Sequence, residues 1–472
     1  MKANIIHSTK FIREINQFNV NKNLITYNLF MKSIMNLESY QEEKDLAQIS
    51  YNQSKEIPTG ALAAIFSDPS FSYWIYLSKC LTNRIKNNEL IPSTDLPYLK
   101  GIKNNNPSKA LKYHLNELNR FLVAASLLAK VDIEVPVNII DNGFYLPILG
   151  IYFPLDDCID TSKVSFKVSE DNKGLFIIGE KIFYDFEELL NKAEQGVEKV
   201  YNLNNQVLIQ PSLRASGGKI IIDCIDPFFR LGWSSIYKNP DGTGYIPVDI
   251  NSMTKYVNSF HEAELIIEKN WKKIAFQFSS TIRTIHVVKS PLSDQHMSCT
   301  SEQYYGGILT STGNKFLLAE AMVHEYSHNV LNMVISSGEV FSGSPPKEEI
   351  YYSPWRDDSR PISGVFHAVF VFVNVLTLLK KIKNSDPKNK HLETRILDVY
   401  IKLKMGLKVL QAYKFEKPLA IEIIKNLKTQ SSTLNFNFSK TEFKNLKLKQ
   451  EKHLANWQLN YPELSVPNNI YS

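Results

Sequence analysis

Between Lys315 and Ser336 the chain is apolar at most positions, yet Glu320, His324, Ser327, His328 and Asn332 recur at helical spacing. A helix this apolar must be buried, and a polar stripe inside it is costly unless its groups are paired or hold a metal. The stripe contains His324-Glu325-Tyr326-Ser327-His328, an H-E-x-x-H pattern. Four residues apart, the two imidazoles leave one helix face and can close on one cation. Glu325, one step round the helix, is near enough to handle a proton at that cation. Asn314 is a suitable cap for the start of this helix, and Gly338 can end it.

Two histidines do not make a site, and two candidates compete for the third ligand. A thermolysin-type carboxylate is expected about 20 residues downstream, where Glu348 and Glu349 stand, but Ser344-Pro-Pro-Lys-Glu-Glu349 is poor helix context. The metzincin continuation is absent, because Leu331 and Val334 occupy its positions. The other candidate is His367, inside the second apolar run, Ile362–Leu379. That run has 18 residues without a charge, the lower limit for a membrane span, and is read as a core helix. Just before it, Trp355-Arg356-Asp357-Asp358-Ser359-Arg360-Pro361 supplies two arginines suited to clamping a carboxylate, or to bridging the neighbouring aspartates.

The rest of the chain sets the frame. Residues 1–130 read as a helical region, with helical periodicity in Ala61–Phe66, Phe71–Ile85 and Ala110–Leu128. Residues 131–300 form a β-rich middle region, a candidate peptide-binding part. Its expected strands are Ile133–Ile140, Tyr145–Phe153, Val164–Val168, Gly174–Ile178, Val207–Ile209 and Lys219–Ile225. A long helix at Met253–Phe278 and strands at Thr281–Val288 and Tyr304–Leu309 follow. Residues 301–472 form the helical metal-binding part. The expected class is therefore α+β, mainly helical.

Net charge is +6, but Lys380–Lys452 holds 18 Lys/Arg against 7 Asp/Glu, which leaves −5 elsewhere. Such a surplus reads as solvated helix faces or as a surface for an acidic peptide such as a leader, and no nucleic-acid motif accompanies it. Cys80, Cys158, Cys224 and Cys299 have no C-x-x-C spacing and read as reduced thiols. No signal-like segment opens the chain, so a cytoplasmic protein without a membrane partner is expected. His261, His286 and His296 read as surface or structural histidines.

Ala319–His328, Tyr352–Pro361 and Gly364-Val365-Phe366-His367 together resemble the HEXXH-motif peptide-modification proteins, which tailor ribosomally made precursor peptides. The likeness is specific over about residues 304–372. It implies an Fe(II)- and 2-oxoglutarate-dependent hydroxylase acting on a side-chain β-carbon of a precursor peptide. It further implies that His324, His328 and His367 bind the iron, that Arg356 or Arg360 holds the distal carboxylate of 2-oxoglutarate, and that Glu325 orients a ligand. With Glu348 as third ligand, the alternative is a Zn(II) metallopeptidase using Glu325 as general base.

Overall fold

The computed structural model describes residues 8–89, 106–139, 143–154, 165–168, 173–178, 180–185, 200–201, 207–211, 213–226, 253–290, 296–311, 313–341, 349–387, 390–434, 436, 438–467 and 470. The fold is α+β and mainly helical. The chain forms two compact units. One comprises Asn16–His261 and Ile282–Thr312; the other comprises Met1–Ile15, Glu262–Thr281 and Gly313–Ser472.

Among the described residues the first unit opens with five helices, α1 (Thr9–Met35, whose first turns belong to the other unit), α2 (Gln41–Glu56), α3 (Thr59–Ser67), α4 (Pro69–Lys86) and α5 (Pro107–Ala129). Asp68 starts α4 by accepting hydrogen bonds from the Ser70 and Phe71 amides, and Asn106 caps α5 in the same way. Phe71, Trp74, Leu111, Leu118 and Phe121 make these helices one core.

Among the described residues ten strands follow: β1 (Ile133–Pro136), β2 (Gly143–Leu146), β3 (Ile151–Pro154), β4 (Ser165–Val168), β5 (Lys173–Ile178), β6 (Glu180–Asp185), β7 (Val200–Tyr201), β8 (Val207–Pro211), β9 (Leu213–Ala215) and β10 (Ile220–Asp223). The order β1-β4-β5-β6 is antiparallel throughout, and so is β2-β3-β8-β7. Two expectations change here. Tyr145–Phe153 is a hairpin, not one strand, because Ile148 and Gly150 take positive φ and turn the chain after Pro147. The run Tyr304–Leu309 pairs only from Gly307 onward.

Helix α6 (Met253–Thr281) leads to β11 (Thr284–Val288), β12 (Ser298–Cys299) and β13 (Gly307–Ser311). With β9 and β10 these complete a five-stranded sheet, β12-β13-β11-β10-β9. Its central strands are parallel, and β11 and β13 are buried at every position, as strands covered on both faces must be. Beneath this sheet lies a buried polar network. The His286 Nδ1 lies 3.0 Å from an Asp223 carboxylate oxygen, and its Nε2 meets the Tyr304 hydroxyl at 2.8 Å. Tyr304 in turn bonds Ser70 at 2.9 Å. Arg120 pairs with Glu117 at 3.3 Å and Asp226 at 3.4 Å.

The second unit contains the end of α6 and α7 (Lys315–Ser336), β14 (Ile350–Tyr351), β15 (Arg360–Pro361), α8 (Ile362–Ser385), α9 (Lys390–Ala412), α10 (Pro418–Ser432) and α11 (Lys440–Asn460). Asn314 caps α7 through the Phe316 and Leu317 amides, and Gly338 takes φ +76° just beyond its end. Helix α8 is long and apolar enough to cross a membrane, but 67% of its apolar window is buried, chiefly against α7 and α9. Strands β14 and β15 pair antiparallel, so residues 352–359 form the loop of a hairpin that feeds α8. Cys80, Cys224 and Cys299 are free thiols; Cys158 lies outside the described residues.

Candidate metal centre

The polar stripe of α7 divides into groups that the protein satisfies and groups that it turns toward one another. Glu320 receives a forked contact from the Arg395 guanidinium on α9, with Arg395 Nε at 3.1 Å. Ser327 donates to the Val323 carbonyl and accepts from Asn374 of α8 at 3.0 Å. The histidines are arranged differently. His324 and His328 lie edge to face with centroids 4.9 Å apart, as their four-residue spacing requires. His367, in the second turn of α8, stacks near-parallel on His328 at 5.3 Å, and the two Nδ1 atoms face each other at 3.1 Å.

That distance allows an N–H···N bond or two ligands of one cation: nitrogens each ~2.1 Å from a metal and cis to one another stand ~3.0–3.4 Å apart. Charge decides what the pair can hold. Burial pushes the His367 pKa down to about 4. His328 is held well below the usual imidazole range by burial and then by its two histidine neighbours. Both are therefore neutral at pH 7, the state in which imidazole binds metal. His324 Nε2 lies 3.9 Å from a carboxylate oxygen of Glu325, whose side chain is only 2% exposed. Among the described residues no three His, Cys, Asp or Glu side chains already converge as a complete cage. Two nitrogen donors meet at ligand spacing, and the third imidazole stands beside them.

An aromatic wall backs this face. Phe372, five residues beyond His367 on α8, packs edge to face on His324 at 5.2 Å. The Trp355 indole stacks on Phe372 at 5.1 Å and 4°. Gly406 of α9 makes room for that indole, since a Cβ there would stand 2.7 Å from the ring.

The two arginines separate. Arg356 is 60% exposed and its Nε lies 3.4 Å from Asp358. Arg360 is 35% exposed and reaches the same carboxylate at 3.0 Å, while its Nε is buried without a hydrogen-bond partner among the described residues. Its side chain lies over Gly364, where an added Cβ would meet Arg360 at 3.4 Å. Gly364 is three residues before His367, on the same face of α8. Arg360 is thus the better placed of the two to hold an anion near the histidines.

Glu348 lies outside the described residues. Glu349 is exposed and accepts from the Tyr351 hydroxyl at 2.9 Å. Sequence reasoning did not single out Phe372 or the packing role of Trp355. Their spacing is that of ordinary core aromatics, and only the fold shows what they stack on. No protein-family model matches this chain, and no curated protein matches it.

Proposed function

We propose that this chain is a cytoplasmic, metal-dependent peptide-tailoring enzyme: an Fe(II)- and 2-oxoglutarate-dependent hydroxylase of a side-chain β-carbon in a ribosomally made precursor peptide. The observation that carries this reading is the pair of neutral imidazoles, His328 and His367, brought from facing helices to ligand spacing. His324, on the same face of α7, would be the third nitrogen ligand. Imidazole suits iron, and three protein ligands leave positions for a chelating co-substrate and dioxygen. When bound, Fe(II) with 2-oxoglutarate and oxygen supplies a two-electron oxidation of a C–H bond, releasing succinate and carbon dioxide.

The chain's own residues do the rest. Arg360, with its orphaned Nε, would donate to the distal carboxylate of the co-substrate, with Arg356 as its neighbour on the loop. Glu325, whose carboxylate lies 3.9 Å from His324 Nε2, would orient an iron-bound water or a neighbouring ligand. Phe372 and Trp355 exclude water from one side of the face.

The same motif would serve a Zn(II) metallopeptidase with Glu325 as general base and Glu348 as third ligand. The approach of His367 to His328 favours the hydroxylase, because a nitrogen donor then occupies the role that the peptidase gives to Glu348. The test is anaerobic loading with Fe(II), followed by oxygen, 2-oxoglutarate and candidate precursor peptides. Succinate should form, and His367→Ala should abolish it. Zinc-restored peptide cleavage that survives His367→Ala but not Glu348→Ala would establish the peptidase instead.

A further inference from the structure

The loop that carries both arginines is held from the far side by one face of α11. His453, Trp457 and Tyr461 follow at four-residue intervals, so they line a single stripe that runs to the residue capping the helix. His453 Nδ1 meets the Tyr352 hydroxyl at 2.8 Å, and its Nε2 lies 3.3 Å from Asp357. The carboxylate can only accept, so Nε2 carries the proton and Tyr352 donates to Nδ1. Trp457 Nε1 donates to the Ser359 hydroxyl at 3.1 Å, and the Ser359 amide points at the Tyr461 hydroxyl at 3.5 Å. The Tyr352 and Trp457 rings pack at 5.3 Å, and both side chains are fully buried.

The held positions flank the arginines. Tyr352 and Asp357 bracket Arg356, and Ser359 adjoins Arg360. Between them Asp358 touches both guanidinium groups and keeps them side by side. On the other face of the loop, Trp355 stacks into the aromatic wall of the histidine site. The buried residues of α11 are few (Gln450, Leu454 and Trp457), and one of them is spent on this loop.

We propose that α11 is a clamp that fixes the arginine loop, with His453 and Trp457 as positioning residues for a small dicarboxylate at the histidine site. The proposal rests on the reading given under Proposed function and adds the element that sets co-substrate affinity. Asp357 is fully exposed, so its ion pair adds little. The weight falls on the buried Tyr352 contact and on Trp457.

The experiment uses the full chain loaded with Zn(II) as a redox-silent metal. It measures metal stoichiometry, 2-oxoglutarate affinity by calorimetry, and amide hydrogen exchange across residues 352–361. His453→Ala should bind metal as the parent does and bind 2-oxoglutarate about ten-fold more weakly, with faster exchange in the loop, because loosening a preorganised site weakens binding. His453→Gln, which keeps a donor and an acceptor, should recover most of the affinity. Trp457→Phe keeps the ring packing and loses only the Ser359 bond, so it tests the clamp without emptying the core; about a three-fold loss is expected.

Unchanged 2-oxoglutarate affinity in His453→Ala and Trp457→Phe, even with faster loop exchange, would overturn the clamp. A parent chain that binds metal but no 2-oxoglutarate would overturn the co-substrate reading, and with it the role given to α11. The two failures are distinguishable because the second occurs without any substitution.

Discussion

Two of the histidine groups among the described residues, one in each unit, have opposite characters. In the β-containing unit, His286 has a carboxylate on one nitrogen and a phenol on the other. The chain runs from Ser70 through Tyr304 and His286 to Asp223, and Asp223 also accepts the Ile225 and Asp226 amides. In the helical unit, His328 and His367 meet nitrogen to nitrogen at 3.1 Å. The neighbouring members of that stripe, Glu320 and Ser327, have partners on α9 and α8. A histidine satisfied by its own neighbours is a part of the fold. Histidines from two helices whose nitrogens meet at this spacing can share a proton or hold a ligand brought from outside.

The comparison breaks most sharply by deletion. His328→Ala or His367→Ala should lower metal affinity by about 100-fold or more, since even outer partners of metal ligands cost ~10–100-fold; equilibrium dialysis with Zn(II) or Fe(II) measures it. His286→Ala should leave metal binding intact but destabilise its unit by about 3–5 kcal/mol, the cost of leaving a buried charge without its partner. Denaturant unfolding reads that loss. Metal loss in His286→Ala would erase the distinction.

A pH experiment sharpens it. Burial raises the Asp68 pKa to about 6, outweighing the Ser70 and Phe71 amides and the charge of Arg120, with Asp226 adding repulsion. Arg283 and Tyr304 also feel the Asp68 charge. A carboxyl raised above its unfolded value of ~3.9 contributes stability that is full below that pH and lost as pH climbs through about 6. Asp68→Asn keeps the cap of α4 and should remove about 2–3 kcal/mol of this pH dependence, seen as a flatter unfolding midpoint between pH 4 and 7.

Smaller effects follow at the wall and the stripe. Gly406→Ala would drive a Cβ into the Trp355 ring, so about 1–3 kcal/mol of overpacking is expected, with weaker metal binding if the Trp355–Phe372–His324 stack shifts. Thermal unfolding and metal titration of one sample check both. Arg395→Ala should cost only about 1 kcal/mol, because the guanidinium is partly exposed, and should leave metal affinity unchanged.

Much of α7 was legible in the sequence. Its cap, its end at Gly338 and the polar stripe are local signals, written within one continuous run of chain. His367 was legible only as an anomaly, a histidine in an apolar helix. The hairpin hidden in Tyr145–Phe153 was misread, because apolar residues on both arms masked the turn at Pro147–Gly150. The clamp on α11 was not legible. His453 and Trp457 reach partners about a hundred positions away, and a four-residue stripe looks the same whether it packs on a neighbouring helix or grips a loop. The pairing of Glu320 with Arg395 is hidden for the same reason.

Helix α8 has a consequence for how the chain is made. It is apolar enough to partition into a bilayer, and the helices that pack on it in sequence order, α9 and α10, end only at Ser432, 47 residues after Ser385. At ~5–20 residues per second, a nascent chain displays that segment without its later partners for roughly 2–10 s. During this interval the segments already synthesised, α7 and the β14–β15 hairpin, can shelter it. The His328–His367 encounter therefore needs no helix made after α8, and the ribosome-bound chain can bring those two imidazoles together before α11 exists to hold the arginine loop.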